Sequence, residues 1–132
     1  MKHKKIKVLV VDRHATMQLL VRHQLEKNGY EVVLTDTKEE AISIVLSGEV
    51  LCVIGSYNFE EQGCLALGRT LCSEPYNLDI PFVYYSTLDK ELVELPHNIN
   101  DCYLQMPFSM DQFNTIVQKL EAKVLSQNLS HY

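Results

Sequence analysis

Strand and helix signals alternate along the whole chain, a pattern that folds as a parallel sheet with helices on both faces. The run Ile6 to Val11 is rich in Val and Ile and apolar throughout, so it reads as a strand buried on both sides and as the central strand. Met17, Leu20, Val21 and Leu25 then recur at helical spacing up to Gly29, a residue suited to ending a helix. Tyr30 to Leu34 reads as a second strand. Thr37 and Glu40 have capping-box spacing, and Ala41, Ile44 and Val45 complete a second helix that stops at Gly48. Val50 to Ile54 is a third strand, followed by a helix from about Gln62 to Ser73 that turns Leu65, Leu71 and Cys72 inward. Ile80 to Tyr85, with Pro81 tolerated at its start, and Cys102 to Gln105 supply a fourth and a fifth strand. Ser109 and Gln112 again have capping-box spacing, ahead of the stripe Phe113, Ile116, Val117, Leu120 and Val124. About five helices and five strands fill the chain.

At 132 residues, with 46% hydrophobic content and no repeat or linker, the expectation is one domain over 1–132, with a core from about 6 to 124 and a fraying polar tail over 125–132. Its longest apolar runs fall far short of the roughly 20 residues needed to span a bilayer, and the basic start lacks the apolar stretch of a signal peptide. A cytoplasmic location with no membrane contact is expected. Lys2, Lys4, Lys5 and Lys7 hold a third of the basic residues, which leaves eight basic against seventeen acidic residues from Val8 onward. That body has no basic face for a phosphate backbone, so no direct nucleic-acid binding is expected and the basic tip reads as solvated. Cys52, Cys64, Cys72 and Cys102 form no C-x-x-C pair, and the histidines, His14, His23, His97 and His131 among them, show no ligand spacing. The cysteines read as core residues, and no structural metal is expected.

In a doubly wound sheet the functional crevice lies beyond the C-terminal ends of the strands. Asp12-Arg13, Gly55-Ser56, Ser86-Thr87 and Met106-Pro107 gain interest by that position alone. One ring of Tyr84-Tyr85 is expected in the core and the other at the mouth of the crevice.

From Ile6 to about Ala122 the sequence resembles the receiver domain of two-component response regulators. The likeness rests on Lys7-Val8-Leu9-Val10-Val11-Asp12, on Leu25 to Val32, on Asp79-Ile80-Pro81, and on Asp101 to Ser109 with its Met106-Pro107-Phe108. It implies a flavodoxin-like fold, a five-stranded parallel sheet in the order 2-1-3-4-5 with helices on both faces. A working receiver phosphorylates itself on an aspartate at the end of strand 3. It uses acids after strand 1 to hold Mg²⁺, a lysine after strand 5, a Ser or Thr after strand 4 that senses the phosphoryl group, and an aromatic residue on strand 5 that follows it.

Mapped residue by residue, the resemblance implies a degenerate site. Gly63 matches the family's glycine, and counting back from it by the family's spacing puts Gly55 at the nucleophile position. Arg13 stands in place of the second acid and Met106 in place of the lysine, while Asp12, Ser86, Pro107 and Tyr103 match. A shift of one residue would bring Ser56 to the acceptor position, but a serine hydroxyl needs an activating base. Glu60 and Glu61 lie too far along the loop to replace an aspartate. With one carboxylate and one guanidinium in place of three acids, Mg²⁺ binding is expected to be lost or weak, with residual Asp12 as its remnant, and no cofactor is expected. Arg13 either pairs with Asp12 or fills the vacated metal and phosphate space, or else points to solvent.

Ser86 and Met106 are 20 positions apart, a short separation for the family, and Pro96 interrupts the fourth helix, which is expected over about Lys90 to Leu95. His97-Asn98-Ile99-Asn100 replaces the family's small residues before strand 5. The face made by the fourth helix, the fifth strand and the fifth helix is the expected partner or homodimer surface. On it Asp111, Asn114, Gln118 and Glu121 are either contacts or solvated.

Three functions compete. The first is an atypical receiver of a two-component or phosphorelay system that docks protein partners without phosphoryl chemistry and is not an enzyme. The second is a receiver phosphorylated through unorthodox residues. The third is a flavodoxin-like domain binding a flavin or nucleotide, a reading that wants a glycine-rich loop where this chain has Arg13-His14-Ala15-Thr16.

Overall fold

The computed structural model describes residues 5–57, 63–95 and 101–129, with side chains of the last helix as far as 122. The strands are β1 (Lys7–Val11), β2 (Glu31–Thr35), β3 (Cys52–Ser56), β4 (Phe82–Ser86) and β5 (Cys102–Gln105). The helices are α1 (Ala15–Lys27), α2 (Lys38–Leu46), α3 (Cys64–Cys72) and α4 (Met110–Leu129). All strand pairs are parallel, and the sheet order is β2-β1-β3-β4-β5, the flavodoxin-like order that the resemblance implies.

Side-chain alternation along the strands divides the core in two. Val8, Val10, Cys52, Ile54, Val83, Tyr85 and Leu104 face α1 and α4, where Leu25, Phe113 and Val117 close the layer. Leu9, Val11, Val53, Phe82 and Tyr84 face α2 and α3, against Ala41, Leu65, Leu67 and Leu71. Both faces of β1 and β3 are therefore buried, which is why their sequences are apolar at consecutive positions.

Local signals place the ends of the helices. Gly29 and Gly48 take φ values of +93° and +77° at the turns after α1 and α2, a conformation that a residue with a Cβ rarely adopts. The Thr37 hydroxyl accepts from the Glu40 N–H at 3.3 Å, and Ser109 and Gln112 exchange hydrogen bonds of 2.9 and 3.3 Å at the start of α4. The Asn114 side chain accepts from the Tyr30 hydroxyl at 2.6 Å, so it joins α4 to the turn before β2, while Asp111, Gln118 and Glu121 are exposed.

Several boundaries differ from expectation. β3 and β4 each run to a serine, so Gly55, Ser56 and Ser86 belong to the strands and not to the loops after them. Pro81 precedes β4, a position where its missing N–H breaks no ladder bond. Cys72 is half-buried at the end of α3 and Cys102 is half-buried on β5. The expected fourth helix is a single 3₁₀ turn at Lys90–Leu92, because Val93 is extended and Leu95 precedes a proline, a position that disfavours helix. Helical backbone continues to Leu129, past the point where the polar sequence suggests fraying. Glu60, Glu61, Gln62, Pro96, His97, Asn98, Ile99, Asn100 and His131 lie outside the described residues.

Tyr84 and Tyr85 are both core residues, 0% and 1% exposed, on opposite faces of the sheet. The Tyr84 hydroxyl is buried without a hydrogen-bond partner among the described residues, and it stands where a Cβ on Gly68 would be. A buried hydroxyl left unpaired costs free energy that its removal recovers. Tyr84→Phe is therefore expected to be neutral or to stabilise the domain by up to about 1 kcal/mol in urea unfolding. A clear loss of stability would show that the hydroxyl has a partner.

Candidate functional site

The chain reverses its direction of winding between β1 and β3, so a crevice opens at the C-terminal ends of the strands around that point. Asp12 follows β1 directly and is 4% exposed as a residue. Its Oδ1 accepts from the His14 N–H at 2.8 Å and lies 3.2 Å from His14 Nδ1. Its Oδ2 accepts from the Tyr85 hydroxyl. The Gln18 amide donates to the Asp12 carbonyl and, at 3.3 Å, to the Thr35 carbonyl, which fastens this turn to α1 and β2. Arg13 and His14 are exposed.

The sequence reading put one ring of Tyr84-Tyr85 at the crevice mouth without a functional role; Tyr85, though its ring is buried, is the one whose hydroxyl holds the Asp12 carboxylate. The signal was its place on the strand: it pairs laterally with Ser56 and alternates to the face of Ile54 and Val10, hence of Asp12. Its ring is fixed by the core and tilts against Phe108, centroid to centroid 6.4 Å. Burial, then the hydrogen bond to Asp12, push its phenol well above the usual tyrosine range, so it stays protonated and donates.

Gly55 and Ser56 are unequal. Gly55 pairs with Val11 on one side and Tyr84 on the other, and a side chain there would enter the packed layer under α3. A Cβ would sit 2.5 Å from the Val11 carbonyl oxygen, 2.6 Å from Cys64 Sγ and 2.7 Å from Cys64 Cβ, contacts that real Cβ atoms do not make. Cys64 fills that space, and burial holds its thiol protonated. Ser56 is the half-buried last residue of β3 on the same face as Asp12 and Tyr85.

The two residues in switch-like positions are tied to the backbone of the β4–β5 connection. Ser86 Oγ accepts from the Leu88 N–H at 2.9 Å. The Tyr103 hydroxyl donates to the Leu88 carbonyl at 2.6 Å and lies 3.1 Å from the Ser86 carbonyl. Tyr57, which the sequence reading passed over, packs edge-on against Tyr84 and Tyr103 at 6.1 Å each. Its hydroxyl accepts from the Glu94 N–H at 3.2 Å and donates to the Glu94 carbonyl at 3.3 Å. Its position directly after Ser56 was the available clue.

Met106, half-buried, hangs its N–H on the Ser86 carbonyl at 2.7 Å, and the Met106–Pro107 peptide is cis. Met106 lines a 530 Å³ groove between α1 and the start of α4, with Met17, Leu20, Phe108 and Met110. A larger groove of 660 Å³ lies at the opposite end of the strands, where β1, β3 and β4 begin, among Lys7, Glu49, Leu78 and Pro81, and holds none of the residues at the C-terminal strand ends. Among the described residues no three acidic, His or Cys side chains gather as metal ligands. Among the described residues the crevice offers Asp12, with both oxygens engaged, and such a carboxylate alone does not fit Mg²⁺, which keeps a full octahedral shell and takes carboxylates as charged donors.

No protein-family model and no curated protein matches the chain. Solved structures do. A response regulator from Chloroflexus aurantiacus, described as putative, superposes with a TM-score of 0.72 at 21% identity, over 90% of this chain and 99% of that one. A response regulator receiver protein from Pseudomonas putida matches with a TM-score of 0.65 at 25% identity, over 89% and 99%. The receiver domain of a sensor histidine kinase from Pseudomonas aeruginosa, whose active-site cleft coordinates a magnesium ion, matches with a TM-score of 0.72 at 17% identity, over 89% and 98%. The chain has the fold of response regulator receiver domains, and among its described residues no helix is long and apolar enough to cross a membrane.

Proposed function

We propose that this chain is a receiver-type signalling domain that accepts no phosphoryl group and acts by docking a protein partner in one fixed conformation. The observation that carries this reading is the state of Asp12. Both its oxygens are engaged by the protein's own donors, and the strand-end residue on its face is Ser56, because Gly55 turns toward Cys64 under α3 and has no space for a side chain there. Arg13 and Met106 stand where the resemblance wants an acid and a lysine. Ser56 is at the strand end, but Asp12, the buried acid beside it, already accepts from Tyr85 and His14 and is a poor base for a serine hydroxyl. A divalent cation gains little at such a site.

The β4–β5 connection supports a partner surface at this place. Leu88, Leu92 and Leu95 are 40%, 67% and 37% exposed there, interleaved with Asp89, Glu91 and Glu94 and the one cation Lys90, a net charge of -2 over this segment. Tyr57 and Tyr103 hold the backbone beneath them, so this acidic and apolar ridge is presented without a phosphoryl signal. It suits a partner groove that is apolar in the middle and basic at its rim.

The experiment is incubation with acetyl phosphate and Mg²⁺, read by intact mass, together with amide NMR spectra before and after beryllofluoride. The expected result is no phosphoryl adduct and no movement of the Ser86 and Tyr103 amides. An adduct, or coherent shifts at both residues, defeats the proposal.

A further inference from the structure

The loss of two acids and a lysine accounts for weak chemistry at this site, but not for a buried tyrosine hydroxyl on the remaining acid. We infer that Tyr85 is the residue that keeps cations off Asp12: its hydroxyl occupies the Oδ2 position through which a cation would enter the strand-end crevice. The inference rests on the reading above and adds to it, because it makes exclusion an active property of one side chain.

The geometry carries it in three steps. The Asp12 side chain is 1% exposed, so an ion can reach it only by displacing a group already there. Oδ1 is taken by His14 through a backbone N–H at 2.8 Å, a donor fixed by the turn into α1. Oδ2 is taken by Tyr85, whose ring cannot swing away because it lies in the core layer between the sheet and the α1–α4 face, 1% exposed and against Phe108. A neutral donor held this rigidly satisfies the carboxylate at little entropic cost, whereas a hydrated cation would have to shed water to compete. Ser56, paired laterally with Tyr85, ends β3 on the same face, so deletion of the phenolic oxygen leaves Asp12 Oδ2 without its tyrosine donor at that strand end.

The test uses Mn²⁺, whose paramagnetism broadens amide signals near a bound ion, on the full chain at neutral pH. The wild type should show no selective broadening at Arg13 and Ser56. Tyr85→Phe, which keeps the ring and the packing, should broaden at both amides at a Mn²⁺ concentration lower by roughly tenfold or more, the size of one lost charge-assisted hydrogen bond. The double variant Tyr85→Phe with Asp12→Asn should return to the wild-type pattern. Equal broadening in wild type and Tyr85→Phe overturns the inference, as does a folded Tyr85→Phe that does not broaden. A second measurement needs no variant. The Tyr85 Cζ carbon of the wild type reports its hydrogen bond and should stay in place when Mg²⁺ is added; movement there overturns the inference as well. The acetyl phosphate experiment on the wild type is separate, so failure of the inference and failure of the proposed function give different results.

Discussion

Gly55→Ala is expected to destabilise the domain by about 3 kcal/mol or more in urea unfolding, the upper range for overpacking a tight core. The added methyl would lie 2.5 Å from the Val11 carbonyl and 2.6 Å from Cys64 Sγ, and a backbone carbonyl inside a parallel ladder has nowhere to go. Gly55→Asp should fail to give folded protein, since it adds a buried charge to the same collision. Neighbouring Ser56 should behave in the opposite way. It is half-buried at the strand end, so Ser56→Ala should cost under about 1 kcal/mol and Ser56→Asp should remain folded. Equal tolerance at 55 and 56 would mean that the layer under α3 opens more readily than this packing allows. The pair of outcomes also decides which strand-end position could ever have carried an acceptor side chain.

The second large effect is alkaline unfolding. Burial raises the thiol of Cys52 to about 12 and raises Cys64, Tyr84 and Tyr85 as well, each for the same reason: the charged form has no solvent in the core. In the unfolded chain these groups lose their protons near the ordinary cysteine and tyrosine values of 9.0 and 10.0. Between the unfolded and the folded value the unfolded state binds fewer protons, so stability falls as pH rises; below the unfolded values both states are protonated and nothing is lost. Each group contributes about 1.4 kcal/mol per pH unit, so with all four engaged above pH 10 the slope approaches about 5 kcal/mol per unit. Against a typical stability of roughly 5–15 kcal/mol, circular dichroism should show cooperative unfolding within a unit or two above pH 10. Tyrosinate absorbance of the buried rings should rise with that transition and not before it. Tyr84→Phe removes one contributor and should move the midpoint to higher pH. Full tyrosinate absorbance from a still-folded protein would contradict the burial argument.

Much of this domain was legible in its sequence, and the reasons are local. The apolar runs at Val8–Val11 and Cys52–Ile54 report strands covered on both faces, and the capping pairs Thr37/Glu40 and Ser109/Gln112 mark helix starts, because both patterns are set by neighbours in the chain. The strand order followed from the resemblance, and the pairing register bears it out. The fourth helix was misjudged because its helical residues are few and the next residue after Leu95 is a proline, so one 3₁₀ turn forms. The strand-end serines were misjudged by one or two residues, an offset that matters here because neighbouring residues on a strand point to opposite faces.

The sequence by itself determined the parallel sheet, its helical cover and which positions end up at the crevice, because periodicity and turn residues act over a few residues at a time. The resemblance put Gly55 at the acceptor position, Arg13 at that of an acid and Met106 at that of a lysine, whereas strand alternation turns Ser56, and not Gly55, to the face of Asp12. Only the tertiary structure decided what occupies the site instead. Cys64 comes from α3 to fill the space at Gly55, and Tyr85 comes from β4, 73 residues away in the chain, to hold Asp12. Contacts of that kind depend on which face each strand turns to its neighbour, and face is a property of the assembled sheet.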